Sequence, residues 1–76
     1  MKVYNLKLLE TLSPHEFKTA RVYLRDTLVE GKSAKFFIAD SGDVVKTITT
    51  SPVGSMKLTE DGVVFRTMNS TYLLEV

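Results

Sequence analysis

Apolar and polar residues alternate along the last third of the chain, and two short turn sequences interrupt the alternation. Glu60-Asp61-Gly62-Val63 and Met68-Asn69-Ser70-Thr71 each read as a two-residue hairpin turn between alternating segments. Counting outward from those turns sets Leu58 opposite Phe65 and Phe65 opposite Leu74. It likewise sets Met56 opposite Thr67, Thr67 opposite Tyr72, and Val63 opposite Val76. The other face then carries Thr59, Val64, Glu75, Lys57, Arg66 and Leu73. One face is mostly apolar and the other mostly polar, which is what a half-buried β-meander requires.

The same periodicities organise the rest of the chain. Lys2 to Leu9 alternates through Tyr4, Leu6 and Leu8 and predicts a first strand. Ser13-Pro14-His15-Glu16 carries a helix start: a Ser cap, Pro at the first helical position and the Glu of a capping box. Phe17, Ala20, Leu24 and Leu28 follow at a spacing of three to four residues, and Gly31 suits a C-cap, so a helix is expected over about 14–30. Arg21-Val22-Tyr23-Leu24-Arg25 would also serve as a strand. Strands are expected at Lys35–Ala39 and Val44–Thr50, joined by an Asp40-Ser41-Gly42-Asp43 turn. Ser51-Pro52-Val53-Gly54 is expected to reverse the chain into the final meander. Phe36-Phe37-Ile38 is a continuous apolar run and suits a strand covered on both faces, with the helix over one. The expected fold class is α+β, in the order β-α-β-β-β-β-β. It is a small curved antiparallel sheet or barrel-like meander with one α-helix packed on it, residues 1–76 forming a single domain.

Composition narrows the function classes more than it selects one. A chain of 76 residues buries only about 60–65% of its unfolded surface, so stability is expected to be small and oligomerisation would help it. There is no run of about 18 apolar residues, so no helical membrane span is expected. Met1-Lys2-Val3-Tyr4 leads directly into alternating residues, without a signal-peptide core. The chain has no cysteine, which removes disulfides, thiolate nucleophiles and cysteine-held zinc and fits a cytoplasmic setting. The net charge of +1 selects no partner class, but the basic residues concentrate in the first half.

Candidate chemistry is sparse. His15 is the only histidine, and no nucleophile or orienting partner is spaced to make it a catalytic base. No phosphate loop, nucleophile elbow or metal motif occurs, so neither an enzyme nor a bound cofactor or metal is expected. In a sequential meander, alternate turns share an end of the sheet. That would gather Asp40, Asp43, Glu60 and Asp61 at one end, where turn chemistry already accounts for them. The opposite end would collect Thr49, Thr50, Ser51, Ser55, Asn69, Ser70 and Thr71. Of these, Thr50, Ser51, Asn69, Ser70 and Thr71 are the candidate ligand rim, with Tyr72 as a stacking ring. Lys18, Arg21 and Arg25 on the expected helix, with Lys32 and Lys35 nearby, form a basic face suited to phosphates. Tyr23, Phe36 and Phe37 are possible base platforms, although the two phenylalanines also read as core. Finally, Thr71 to Val76 is a terminal strand with no successor. Tyr72 and Leu73 would take part in pairing with a second copy or a host protein, unless the first strand closes a barrel against it.

The segments Thr49-Thr50-Ser51-Pro52-Val53, Asp61-Gly62-Val63-Val64 and Thr67-Met68-Asn69-Ser70-Thr71-Tyr72-Leu73-Leu74 resemble the tails of short uncharacterised bacteriophage and prophage proteins. Those tails share a TSPV-like turn and a T-x-N-S-x-Y-x-L ending. The resemblance covers residues 49–74 and implies a setting rather than an activity. Small phage proteins of this kind act by binding host components, and inhibitors of bacterial defence systems are among them. The expectation is therefore a non-enzymatic phage-type accessory protein that binds and modulates a host protein. Lys18, Arg21, Arg25, Tyr72 and Leu73 are the partner-binding candidates. The alternatives are a small-barrel nucleic-acid-binding protein using the basic face, and an oligomeric sponge that sequesters a signalling nucleotide at the hydroxyl rim.

Overall fold

The structure is a computed structural model that describes residues 2–12 and 17–76. Seven strands follow one another: β1 Tyr4–Thr11, β2 Thr19–Leu24, β3 Ser33–Ile38, β4 Thr47–Pro52, β5 Ser55–Thr59, β6 Gly62–Arg66 and β7 Ser70–Glu75. They form one antiparallel sheet in the order β4-β3-β2-β1-β7-β6-β5. The fold is all-β among the described residues, which corrects the expected α+β class.

The helix expected over 14–30 is replaced by β2 and an irregular connection. Its capping residues, Ser13 to Glu16, lie outside the described residues, and His15 with them. The side chains of the supposed stripe, Phe17, Ala20, Leu24 and Leu28, do pack against the core. Val22 explains the change of element. It is fully buried, and Ala20-Val22-Leu24 alternates strictly with Arg21 and Tyr23, which is strand periodicity. An isolated capping box contributes on the order of 1 kcal/mol. Two ladders of main-chain hydrogen bonds, to β1 and to β3, outweigh it.

β4 and β5 occupy opposite ends of the sheet order, yet only Val53 and Gly54 separate them. Two residues reach about 7 Å, so the sheet must curl until its ends meet. The junction shows the closure directly. Val53 N–H donates to Lys32 O at 3.0 Å, beside β3, and Gly54 N–H donates to Arg66 O at 2.7 Å, at the end of β6. Strand directions alternate across the seven positions, so β4 and β5 run the same way. They are two halves of one bent strand that closes a small barrel. Ser51-Pro52-Val53-Gly54 is therefore a bend and not the expected reversal, and Val53 is buried inside it. One consequence is that the 40–43 and 60–61 turns fall at opposite ends. The expected acidic rim does not assemble, and no acidic cluster able to hold a metal occurs among the described residues.

The core comprises Leu6, Val22, Ala34, Phe36, Val53, Phe65, Tyr72 and Leu74, drawn from β1, β2, β3, β6, β7 and the bend. The final meander keeps its expected faces in a different register. Met56 pairs with Phe65 and Phe65 with Tyr72; Leu58 pairs with Val63 and Val63 with Leu74. Each turn has slid by one residue, to Glu60-Asp61 and Met68-Asn69. A one-residue slide moves the pairing by two positions, which leaves every side chain on its face.

β3 and β4 are out of simple register between Ser33 and Lys35. The Ala34 N–H donates there to Thr50 Oγ1 at 3.0 Å, and that hydroxyl donates to Ser51 O at 2.7 Å. Both Ala34 and Thr50 are buried. Replacing Thr50 with Val keeps the shape but leaves a buried N–H without an acceptor. The expected loss is about 1–3 kcal/mol in urea unfolding. An unchanged midpoint would mean that water reaches this amide.

Candidate functional site

β7 is not an edge. It lies between β1 and β6 and is hydrogen-bonded to both, so the pairing sites offered by the expected C-terminal edge strand are already used. Side chains reinforce the seam. Lys7 Nζ lies 3.0 Å from Glu75 Oε2, and Thr11 Oγ1 lies 2.8 Å from Ser70 Oγ. The hydrogen bond from Lys7 holds the Glu75 carboxyl below its usual range despite some desolvation, helped by the Lys7 charge and by Asn5. This contribution is present above the ordinary carboxylate pKa and is lost as pH falls through the lowered one. Tyr72 is buried and stacks on Phe65 with ring centroids 5.0 Å apart. It is a core ring and cannot meet a ligand. Leu73 is half-buried on the outer face, opposite Lys7 and Val64.

The hydroxyl rim assembles only in part. Asn69, Ser70 and Thr71 line a shallow recess with Glu10, Thr11, Arg66 and Thr67. Thr50 and Ser51 do not line it, and the Thr50 hydroxyl is committed to the β3–β4 irregularity. The recess has a volume of about 110 Å³. Small-molecule sites run to about 300–1,000 Å³, so one copy of this chain does not enclose a nucleotide there.

The outer face of β2, β3 and β4 has a different character. Alternation turns Val22 and Phe36 into the barrel, which sends Tyr23 and Phe37 outward. These two are direct cross-strand partners. The Arg25 guanidinium lies over the Phe37 ring, 5.7 Å from its centroid, within the range of cation–π attraction. Lys35 and Thr49 are partners on the same face, as are Phe37 and Thr47. Arg21 stands on this face as well, with its guanidinium 3.0 Å from Asp40 Oδ1. Among the described residues no carboxylate lies within ion-pair distance of Arg25, Lys35 or Lys46. The expected trio is thus divided. Arg21 and Arg25 share a face because four residues are two strand repeats as well as one helical turn. Lys18 is exposed just before β2, outside that row.

Phe37 is the site residue whose place the sequence obscured, because the apolar run Phe36-Phe37-Ile38 implied a covering helix. With no helix over it among the described residues, Phe37 is a half-buried ring on an outer surface. The loop 39–46 borders this face. It closes where Ile38 N–H donates to Lys46 O at 2.9 Å, so Val44 and Val45, expected to open a strand, lie in the loop before β4 instead, 60% and 77% exposed. No family model, curated protein or solved structure matches the chain.

Proposed function

We propose that this chain is a binding protein without catalytic activity, and that the outer β2–β3–β4 face takes single-stranded nucleic acid. The observation that carries the proposal is the Tyr23–Phe37 pair on adjacent strands with Arg25 over one ring and Lys35 and Lys46 beside it. Bases stack on aromatic faces whatever their sequence, while cations spaced around the rings meet the phosphates. A barrel supports this use because its strands hold neighbouring rings at fixed separation without a deep cleft.

The test is fluorescence anisotropy with a labelled oligothymidylate of roughly 20 nucleotides. Three phosphate contacts predict an affinity that falls about 40-fold between about 50 and about 300 mM salt. Phe37→Ala is expected to weaken binding by roughly 5- to 150-fold, and Arg25→Glu combined with Lys35→Glu to abolish it. Binding that is flat in salt, or untouched by these changes, would overturn the proposal.

A host-protein partner, the kind that the phage-tail resemblance implies, is favoured by one observation on the same face. Val44 and Val45 form an exposed apolar pair beside the rings, and apolar surface continuous with aromatic rings is what a protein partner would cover. Absence of oligonucleotide binding, with a purified host protein retained by the wild type and released by Val45→Asp, would favour that partner.

A further inference from the structure

Resting on the nucleic-acid reading, we infer that the recess between the Tyr23–Phe37 pair and the 39–46 loop receives one unstacked base of the bound strand, with Val44 and Val45 covering its outer side. The recess is lined by Tyr23, Phe37, Ala39, Gly42, Val44 and Val45, with Lys46 at its margin, and has a volume of about 330 Å³. That is the lower end of the range of about 300–1,000 Å³ for small-molecule sites. It suits one base with its sugar and not a longer segment.

Four features give the recess its form. The loop is tied at its neck by the Ile38 N–H to Lys46 O hydrogen bond, and the Ala39 N–H donates to Arg21 O at 2.8 Å, which binds the loop to β2. Ser41 Oγ donates to Ile38 O at 3.2 Å and fixes the first turn. Gly42 has φ 68°, a left-handed conformation that glycine adopts without strain, and it aims the following valines. Val44 and Val45 leave most of their apolar surface exposed in a polar loop, and a flat aromatic group in the recess would cover both. The charge is complementary to a nucleotide. Arg25 on the Phe37 ring and Lys46 at the loop neck flank the recess, where the phosphates on either side of an inserted base would run. Of the loop's two carboxylates, Asp40 is paired with Arg21, whereas Asp43, exposed between Gly42 and Val44, has no cation within ion-pair distance among the described residues, so the cations at Arg25 and Lys46 outnumber it by one.

The experiment compares a decameric oligothymidylate with a decamer of the same backbone lacking every base, on wild-type protein and on the double variant Val44→Ser, Val45→Ser. Both valines are exposed, so the double variant is expected to keep the wild-type melting temperature, which is checked first. Wild type should prefer the base-bearing strand. The double variant should lose about 10-fold on that strand, the scale of partly burying two valines, and bind the abasic strand as wild type does. If the double variant binds both strands as wild type does, the inference falls while the nucleic-acid reading stands. If wild type binds neither strand at low salt, the reading itself falls. A single 2-aminopurine in the decamer supplies a second readout: its fluorescence should be quenched by wild type and recover in the double variant. Equal quenching in both proteins would also overturn the inference.

Discussion

Gly62→Ala is expected to remove a large share of the chain's folding stability. Gly62 is buried at the start of β6 with φ 147°, a conformation that residues with a side chain rarely adopt. A Cβ there would lie 2.1 Å from Leu74 O, 3.0 Å from Leu74 C and 3.1 Å from Glu75 Cα. All three are main-chain atoms of β7, which is held on its far side by β1, so no side chain can swing away to relieve the clash. Backbone strain and forced separation of the strands together cost about 3 kcal/mol or more. A chain of 76 residues has on the order of 4–11 kcal/mol of stability in total. The melting temperature should fall by more than about 12 °C. Gly42→Ala is the control: its φ is also positive, but its Cβ meets nothing within 4 Å, and it should cost only about 1–2 kcal/mol. If Gly62→Ala melted within about 4 °C of wild type, the β6–β7 register described above would be wrong.

Phe65→Ala should be almost as damaging, and Leu58→Ala should not. Phe65 is fully buried, stacked on Tyr72 at 5.0 Å and tilted against Phe36 at 6.2 Å. It joins the final meander to the β1–β3 half of the barrel, and its neighbours come from two other strands that cannot collapse into the space. Its removal is expected to cost about 3–5 kcal/mol. Leu58 lies on the same face by alternation, yet it is 80% exposed near the end of β5. Its truncation should change stability by no more than about 0.5 kcal/mol. Urea unfolding of the two variants measures the difference. Equal losses would show that β5 is covered in solution by something the isolated chain does not provide.

The gap between these two residues shows how far the sequence pattern reaches. Alternation assigns Leu58 and Phe65 to one face, and they do share it. Nothing in the alternation states that the barrel core closes over one and leaves the other at the margin. The register error has the same origin. Glu60-Asp61-Gly62 admits a turn at either of two positions, and the choice turns on the close approach of Gly62 to Leu74, which involves a strand twelve residues further along. For the candidate site, the cations Arg21 and Arg25 and the ring Tyr23 were legible as chemistry, but on a helix. Spacings of four residues fit both element types, so Arg21 and Arg25 kept a common face when the element changed. Phe36 and Phe37 were both legible as platforms or as core, and only the structure separates them, Phe36 inward and Phe37 outward; Tyr72 offered itself as a ligand platform although its ring is part of the core. Thr50 looked like a surface hydroxyl because the strand irregularity that consumes it has no local signature.

By itself the sequence determined the quantities that depend on neighbours along the chain. These were the β-meander, the face of each side chain within it, its turn regions, the inward packing of Phe17, Ala20, Leu24 and Leu28 against the core, and the absence of cysteine chemistry. Tertiary structure decided whatever depends on which strands meet: β2 in place of a helix, the pairing of β7 with β1, and the bend at Val53-Gly54 that joins the two ends of the sheet. It also placed Tyr23 beside Phe37 on one outer face. The physical reason is that a helix closes its hydrogen bonds within a few residues, whereas a strand closes them on partners far away in sequence. In a chain whose described residues are all-β, almost every such decision is long-range.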